Sequence, residues 1–223
     1  MRISSFNINK FCGPYSNKGQ YYNPRNIDFK TPIKKTVDSL LENEDDIFFL
    51  QEFTNNKYIN VEKLFPKDKY NVNSNAELEL KSIVVAITLK GSLWKRIEPC
   101  SEDGYNNKFI EMNYKDNLSI ISFQNTNNYC KEKINSYFND KDKDIIIGDF
   151  NDIEWVTELY KKKESGYRDL VTNDMITYKP GQTAIDHIFI KEQISNNKIV
   201  FNGIIETFLS DHNLLTFSLN IQD

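Results

Sequence analysis

The sequence has little of what builds soft-metal or redox centres. Among 223 residues there are three cysteines and two histidines. Cys12, Cys100 and Cys130 show no metal-ligand spacing. An odd number without a framework predicts reduced thiols in a cytoplasmic protein rather than a stapled secreted fold. No apolar run is long enough to span a bilayer, and Met1 leads straight into strand-like residues rather than a leader, so no membrane partner is expected. A basic excess is also missing, because 28 Lys and Arg stand against 32 Asp and Glu for a net charge of -4. That balance does not advertise a nucleic-acid binder, although a divalent cation in an acidic site can neutralise phosphate locally. No repeat, linker or low-complexity tract breaks the chain, and one domain over residues 1–223, a monomer, is expected.

What is present is a globular composition, 39% hydrophobic and 27% charged. Its organising stretch is Asp144-Ile145-Ile146-Ile147-Gly148-Asp149-Phe150-Asn151-Asp152. Three isoleucines in a short run suit a central strand covered on both faces. Gly148 lets the backbone turn or approach a neighbour closely. Asp149 and Asn151, two apart, leave extended chain on the same side. The plain alternative is a strand followed by an Asx turn that caps the next helix.

The remaining pattern surrounds this strand with others. Ile3 to Ile8 reads as a strand, with Asn7 and Asn9 on the face opposite Phe6 and Ile8. Residues 10–30 read as a loop in which Lys18, Tyr21, Tyr22 and Arg25 mix aromatic and basic character. Thr31-Pro32 reads as a helix start, followed by Ile33, Val37, Leu40 and Leu41 at helical spacing. Ile47 to Leu50 is a second buried strand that ends in Gln51-Glu52, and residues 57–65 read as a short helix. Strands are predicted over 83–89 and 94–98, with a hairpin of 109–114 and 118–123 around Lys115-Asp116-Asn117. Helices follow with Ile134, Tyr137 and Phe138, then with Trp155, Val156, Leu159 and Tyr160, on their inner faces. Ile176–Tyr178, 185–190, 199–208 (irregular at Gly203) and 214–221 complete the strands. Several strands with a few helices and no clean βα alternation predict an α+β fold of two packed sheets with outer helices.

Polar groups collect at the strand ends: Asn7/Asn9, Glu52, Asp149/Asn151, Asp186 and Asp211/His212. An oxygen-rich set without cysteine suits Mg²⁺ or Mn²⁺ and argues against structural zinc. Asp186 and His187 are neighbours on a strand and face opposite ways, so only one can join a shared site. A carboxylate behind an imidazole fixes its tautomer and stabilises its charged form. Asp186 is therefore paired with His212, and His187 is read as structural.

In this order the set resembles the endonuclease/exonuclease/phosphatase superfamily, the deoxyribonuclease I-like fold. The matching pieces are Phe6-Asn7-Ile8-Asn9, Leu50-Gln51-Glu52, Gly148-Asp149-Phe150-Asn151, Ile185-Asp186-His187-Ile188 and Ser210-Asp211-His212. Gly166-Tyr167-Arg168-Asp169-Leu170 and Thr177-Tyr178 look like segments between the last two. The resemblance implies a four-layer αββα sandwich and hydrolysis of phosphate esters with Mg²⁺ or Mn²⁺. It implies Glu52 as chief metal ligand, helped by Asn9 and Asp211. Asp149 would position or deprotonate the attacking water, with Asn7 and Asn151 bonding phosphate oxygens or that water. His212, oriented by Asp186, would stabilise the transition state or act as acid or base, and the choice of base between Asp149 and His212 stays open.

Two departures stand out. Gln124 occupies a strand end where many members carry histidine, and an amide donates a hydrogen bond but carries no charge. Ala184 stands where many have arginine, which predicts a looser tie around Asp186. The resemblance points first to a nuclease acting on nucleic acid. A phosphomonoesterase or lipid or inositol phosphate hydrolase is the alternative within the fold, and a binding domain with weakened catalysis, on the strength of Gln124, is the alternative outside it.

Overall fold

The computed structural model describes residues 1–11, 30–42, 45–54, 64–76, 82–99, 106–126, 128–140, 142–161, 166–194, 198–207 and 209–220. The Tyr21/Tyr22 loop and most of the 57–65 helix lie outside these residues.

Twelve strands form two six-stranded sheets. The first contains β1 (Arg2–Asn7), β2 (Ile47–Phe53), β3 (Tyr70–Ser74), β4 (Ile83–Leu89), β11 (Ile199–Ile205) and β12 (Leu214–Leu219), in the order β11-β12-β1-β2-β4-β3. The second contains β5 (Trp94–Arg96), β6 (Phe109–Tyr114), β7 (Leu118–Gln124), β8 (Ile145–Asp149), β9 (Tyr167–Asp169) and β10 (Asp186–Lys191), in the order β5-β6-β7-β8-β10-β9. Each sheet has one parallel pair near its centre, β1 with β2 and β7 with β8. Three α-helices are present among the described residues: α1 (Lys30–Glu42), α2 (Asn128–Asp140) and α3 (Ile153–Lys161).

Side-chain alternation divides the apolar residues into three layers. Ile3, Phe49, Val84 and Phe217 from the first sheet pack against Ile120, Ile145, Ile147 and Ile188 from the second. The opposite faces turn outward to helices. Phe48, Leu50 and Val85 meet Val37 and Leu40 of α1, while Ile146, Ile121 and Phe189 meet Ile134, Phe138, Trp155 and Leu159 of α2 and α3. The isoleucine run at 145–147 thus serves two cores, the reason it is apolar at every position. The result is a helix–sheet–sheet–helix sandwich.

Two local readings change and one strand is added. Residues 176–178 form no strand; Tyr178 makes only isolated bridges to Thr183 and His212. Tyr167–Asp169 does form a short edge strand on β10. Helix α1 begins at Lys30, so Thr31 lies inside its first turn, an offset ordinary for helix ends. The irregularity at Gly203 is present as a register shift between Phe201 and Gly203.

Candidate active site

The parallel pairs deliver their C-terminal ends to one rim. Asn7 pairs in register with Gln51, and Gln124 with Asp149. Antiparallel β10 starts at that rim, so Asp186 faces Asp149 across the ladder. Ser210 locks the 210–213 segment to the same place by donating to the Asn7 carbonyl at 2.7 Å.

Asp149 is fully buried and lies at the centre. Gly148 makes its position accessible. Its φ is +147°, and a Cβ there would stand 2.0 Å from the Phe123 carbonyl oxygen, so only glycine lets β7 approach this closely. Asn7 Nδ2 donates to Asp149 Oδ2 at 2.9 Å, and Asn151 Nδ2 donates to the same oxygen at 3.1 Å. The Asn7 amide is itself fixed, since its Oδ1 accepts from Asn9 N at 2.9 Å. Asp149 Oδ1 is buried with no hydrogen-bond partner among the described residues. Asp152, not Asn151, caps the next helix, through Trp155 N to Asp152 Oδ1 at 2.9 Å. The capping alternative therefore falls to the following residue and leaves Asp149 and Asn151 for the rim.

His212 Nδ1 lies 2.8 Å from Asp186 Oδ2, and Tyr178 packs on the imidazole at 5.0 Å between ring centroids. Asp186 is held despite Ala184, because the Ile185 and Asp186 amides both donate to Thr177 Oγ1 at 2.9 Å. His187 turns away, as alternation requires, to Asp169 Oδ2 at 2.6 Å and the Ala184 carbonyl at 3.1 Å.

Burial pushes the Asp149 carboxyl far above the usual carboxylate range, and the Asp186 charge adds to it. Burial opposes a charge on His212, but the surrounding Asp186, Asp149 and Asp211 outweigh it and raise the imidazole to about 9. Burial also raises Asp211, with His212 pulling the other way. Asp149, Asp186 and His212 bring ligand atoms within 4.8 Å of one another, a buried set that could hold a metal ion.

Glu52 reaches the rim through a bulge. The β2–β4 register shifts between Leu50 and Phe53, and Glu52 adopts φ +53°. Gln51 then points between the sheets, where Nε2 donates to Ser5 Oγ at 3.0 Å and Ser122 Oγ at 2.9 Å. Glu52 is left beside the site and adds to the upward shifts of Asp149 and Asp211. Its Oε1 accepts from Gln124 Nε2 at 2.7 Å, and its Oε2 pairs with Lys10 Nζ at 2.8 Å. Gln124 thus lies on the Glu52 side of the site. Asn9 is buried in the turn after β1, and its neighbour Lys10 enters the site.

An open cleft of about 530 Å³ runs from this rim, lined by Lys10, Glu52, Gln124, Asn125, Lys131 and Asn151 among others. Residues 10, 82, 108 and 125 were not singled out in the sequence. Lys108 had a readable signal: the predicted hairpin pairs Phe109 with Phe123, which sets Lys108 beside Gln124. Asn125 had none, as it holds the backbone after β8, its N donating to the Asp149 carbonyl at 2.8 Å and its Nδ2 to the Phe150 carbonyl at 2.7 Å.

No family model matches the chain, and no curated protein matches it. Solved structures do. The endonuclease domain of TRAS1, a telomere-specific non-LTR retrotransposon, aligns with 100% of this chain and 99% of its own at 15% identity and a TM-score of 0.66. TDP2 from D. rerio, solved with a single-strand DNA product, covers 98% of both chains at 13% identity and 0.66. The 3'-5' exonuclease NExo from Neisseria meningitidis covers 99% of this chain and 100% of its own at 13% identity and 0.64. Agreement over essentially whole chains, together with the two packed mixed sheets, shows that this chain has the deoxyribonuclease I-like fold of the endonuclease/exonuclease/phosphatase proteins.

Proposed function

We propose that this chain is a divalent-cation-dependent phosphoesterase, and specifically a phosphodiester hydrolase acting on nucleic acid. The observation that carries the reading is Asp149: one oxygen is clamped by two amides and the other is buried without a partner, beside the His212–Asp186 pair. A buried acceptor left open in this way needs a donor, and an attacking water supplies one.

Asp149 accepts the proton of water as the water oxygen attacks phosphorus; the P–O ester bond opposite breaks, and the departing alkoxide takes a proton from solvent. Asn7 and Asn151 hold the carboxylate in place. His212, with Nδ1 committed to Asp186, keeps its other ring nitrogen for a phosphate oxygen, where a protonated imidazole stabilises charge that grows in the transition state. In this reading Asp149 is the base and His212 the charge stabiliser. The donors fit a hard cation, since Glu52 and Asp211 are carboxylates and Asn9 adds an amide. Mg²⁺ or Mn²⁺ held chiefly by Glu52 would neutralise non-bridging phosphate oxygens. Nucleic acid as substrate is supported by the DNA product seen with the similar TDP2 and by the other two being an endonuclease domain and a 3'-5' exonuclease. The cleft lining offers amide and hydroxyl donors to a phosphate backbone, with Lys10 and Lys131 set beside Glu52 and Asp152.

The test is cleavage of plasmid, single-stranded DNA, RNA and a chromogenic phosphomonoester with Mg²⁺. Diester cleavage that disappears in Asp149→Asn and His212→Gln supports the proposal. Turnover of the monoester alone would move the substrate class, and no turnover of any ester would leave a binding domain.

A further inference from the structure

The turn after β1 holds an unusual conformation that the proposed reaction does not explain. Asn9, Lys10 and Phe11 have φ values of 45°, 52° and 62°, three consecutive non-glycine residues in the left-handed region. Side chains disfavour that region, and such strain persists only where surroundings enforce it. Here Phe11 enforces it. It is buried, its amide donates to the Ile8 carbonyl at 2.8 Å, and its ring packs edge-on against Phe53 at 5.5 Å. Phe53 follows Glu52 in the β2 bulge. One aromatic contact therefore joins the strained turn to the bulge, and between them Lys10 meets Glu52 at 2.8 Å.

We propose that Lys10 is a built-in counter-ion that occupies Glu52 until a divalent cation arrives, and that the displaced ammonium then binds substrate phosphate in the cleft. The inference rests on Glu52 being a metal ligand. The Lys10 ammonium takes one face of Glu52 Oε2, and a divalent cation on the same carboxylate would repel it at close range. Cation binding therefore favours an arrangement in which Lys10 has moved away. Its flexible stem and its place on the cleft wall put a phosphate bound in the cleft within its reach. The lysine thus weakens metal binding in the free protein and strengthens anion binding in the loaded one.

The experiment uses the full chain as wild type, Lys10→Gln and Lys10→Arg. Mn²⁺ affinity is read by calorimetric or spin-resonance titration, and binding of a fluorescent single-stranded oligonucleotide is read by anisotropy in EDTA and in Ca²⁺. Lys10→Gln should bind Mn²⁺ about tenfold more tightly than wild type, the effect of removing one nearby charge from a partly exposed site. It should bind the oligonucleotide about twofold more weakly than wild type in EDTA, where Glu52 loses its counter-ion, and about tenfold more weakly in Ca²⁺. Lys10→Arg keeps the charge and should follow wild type in both. If wild type binds Mn²⁺ and Lys10→Gln binds it equally or more weakly, the inference is overturned while the metal reading stands. If wild type binds no Mn²⁺, both are overturned. A loss of oligonucleotide binding in EDTA as large as that in Ca²⁺ also overturns the displacement.

Discussion

The Lys108 ammonium lies 3.1 Å from Gln124 Oε1, on the opposite end of the amide from Glu52. Ser82 Oγ donates to the same oxygen at 3.2 Å, and Lys108 also bonds the Ser82 hydroxyl and carbonyl at 2.9 and 2.8 Å. With its oxygen end held by two donors, the amide can present only Nε2 to Glu52. Glutamine here acts as a carboxylate-orienting donor, and Lys108 acts through it. Lys108→Met should lower kcat/KM by about tenfold, about 1.4 kcal/mol, by freeing the amide to rotate. Steady-state kinetics at saturating Mg²⁺ check this, and an unchanged value would show that Gln124 needs no such anchor.

Asp149→Asn should separate activity from stability. Without the base, turnover should fall by about 10³-fold or more. The amide removes a buried charge beside Asp186, so the variant should unfold at a higher temperature than wild type in alkaline buffer. Assay and thermal melts at pH 9 read the two effects, and a destabilised variant at that pH would contradict the charge argument.

Stability of the metal-free protein should fall as pH rises. Burial raises Asp45 to about 6 and pushes Asp149 further up, so the folded state holds protons there that the unfolded chain has released. Each group therefore disfavours folding once pH passes upward through its window. For His212, burial opposes the charge but the neighbouring carboxylates prevail and lift it to about 9, so its contribution is complete below its unfolded value and is lost as pH rises through about 9. All three slopes have one sign. Urea midpoints from pH 5 to 9 in EDTA measure them, and a midpoint that rises with pH would refute the set.

Asp186→Asn removes the charge that sustains the His212 imidazolium at 2.8 Å. The alkaline limb of the kcat/KM profile should then move to lower pH than in wild type. A limb that stays in place would assign it to another group.

Two substitutions test the frame beneath the site. Gly148→Ala places a methyl 2.0 Å from the Phe123 carbonyl oxygen and should cost about 3 kcal/mol or more, or abolish soluble expression. Gln51→Ala removes the amide that joins Ser5 of one sheet to Ser122 of the other and should cost about 2 kcal/mol in urea unfolding. If Gln51→Ala unfolds like wild type, apolar packing and the other cross-sheet bonds, such as Asn7 to Asp149, hold the sheets at this end without it.

Much of this architecture is local information. Ile145 to Ile147 declare a strand with two apolar faces because alternation needs no partner to be read. Asn7, Asp149, Asn151, Asp186 and His212 could be singled out as polar groups at the ends of such runs, and the opposite facing of Asp186 and His187 follows from strand geometry alone. Neither the departure of residues 176–178 from a strand nor the pairing of Tyr167–Asp169 could be read that way, since a short edge strand exists only through its neighbour.

The decisive site geometry belongs to the tertiary structure. Glu52 reaches the rim because β2 bulges against β4, and Lys10 reaches Glu52 because Phe11 packs on Phe53 across two strands. Gln124 faces Glu52 because Lys108 and Ser82, from two other segments, hold its oxygen. Composition and periodicity determine which residues can be buried and which must end a strand. The charge each polar group meets there is set by residues distant in sequence, and only the packed sheets bring those into contact.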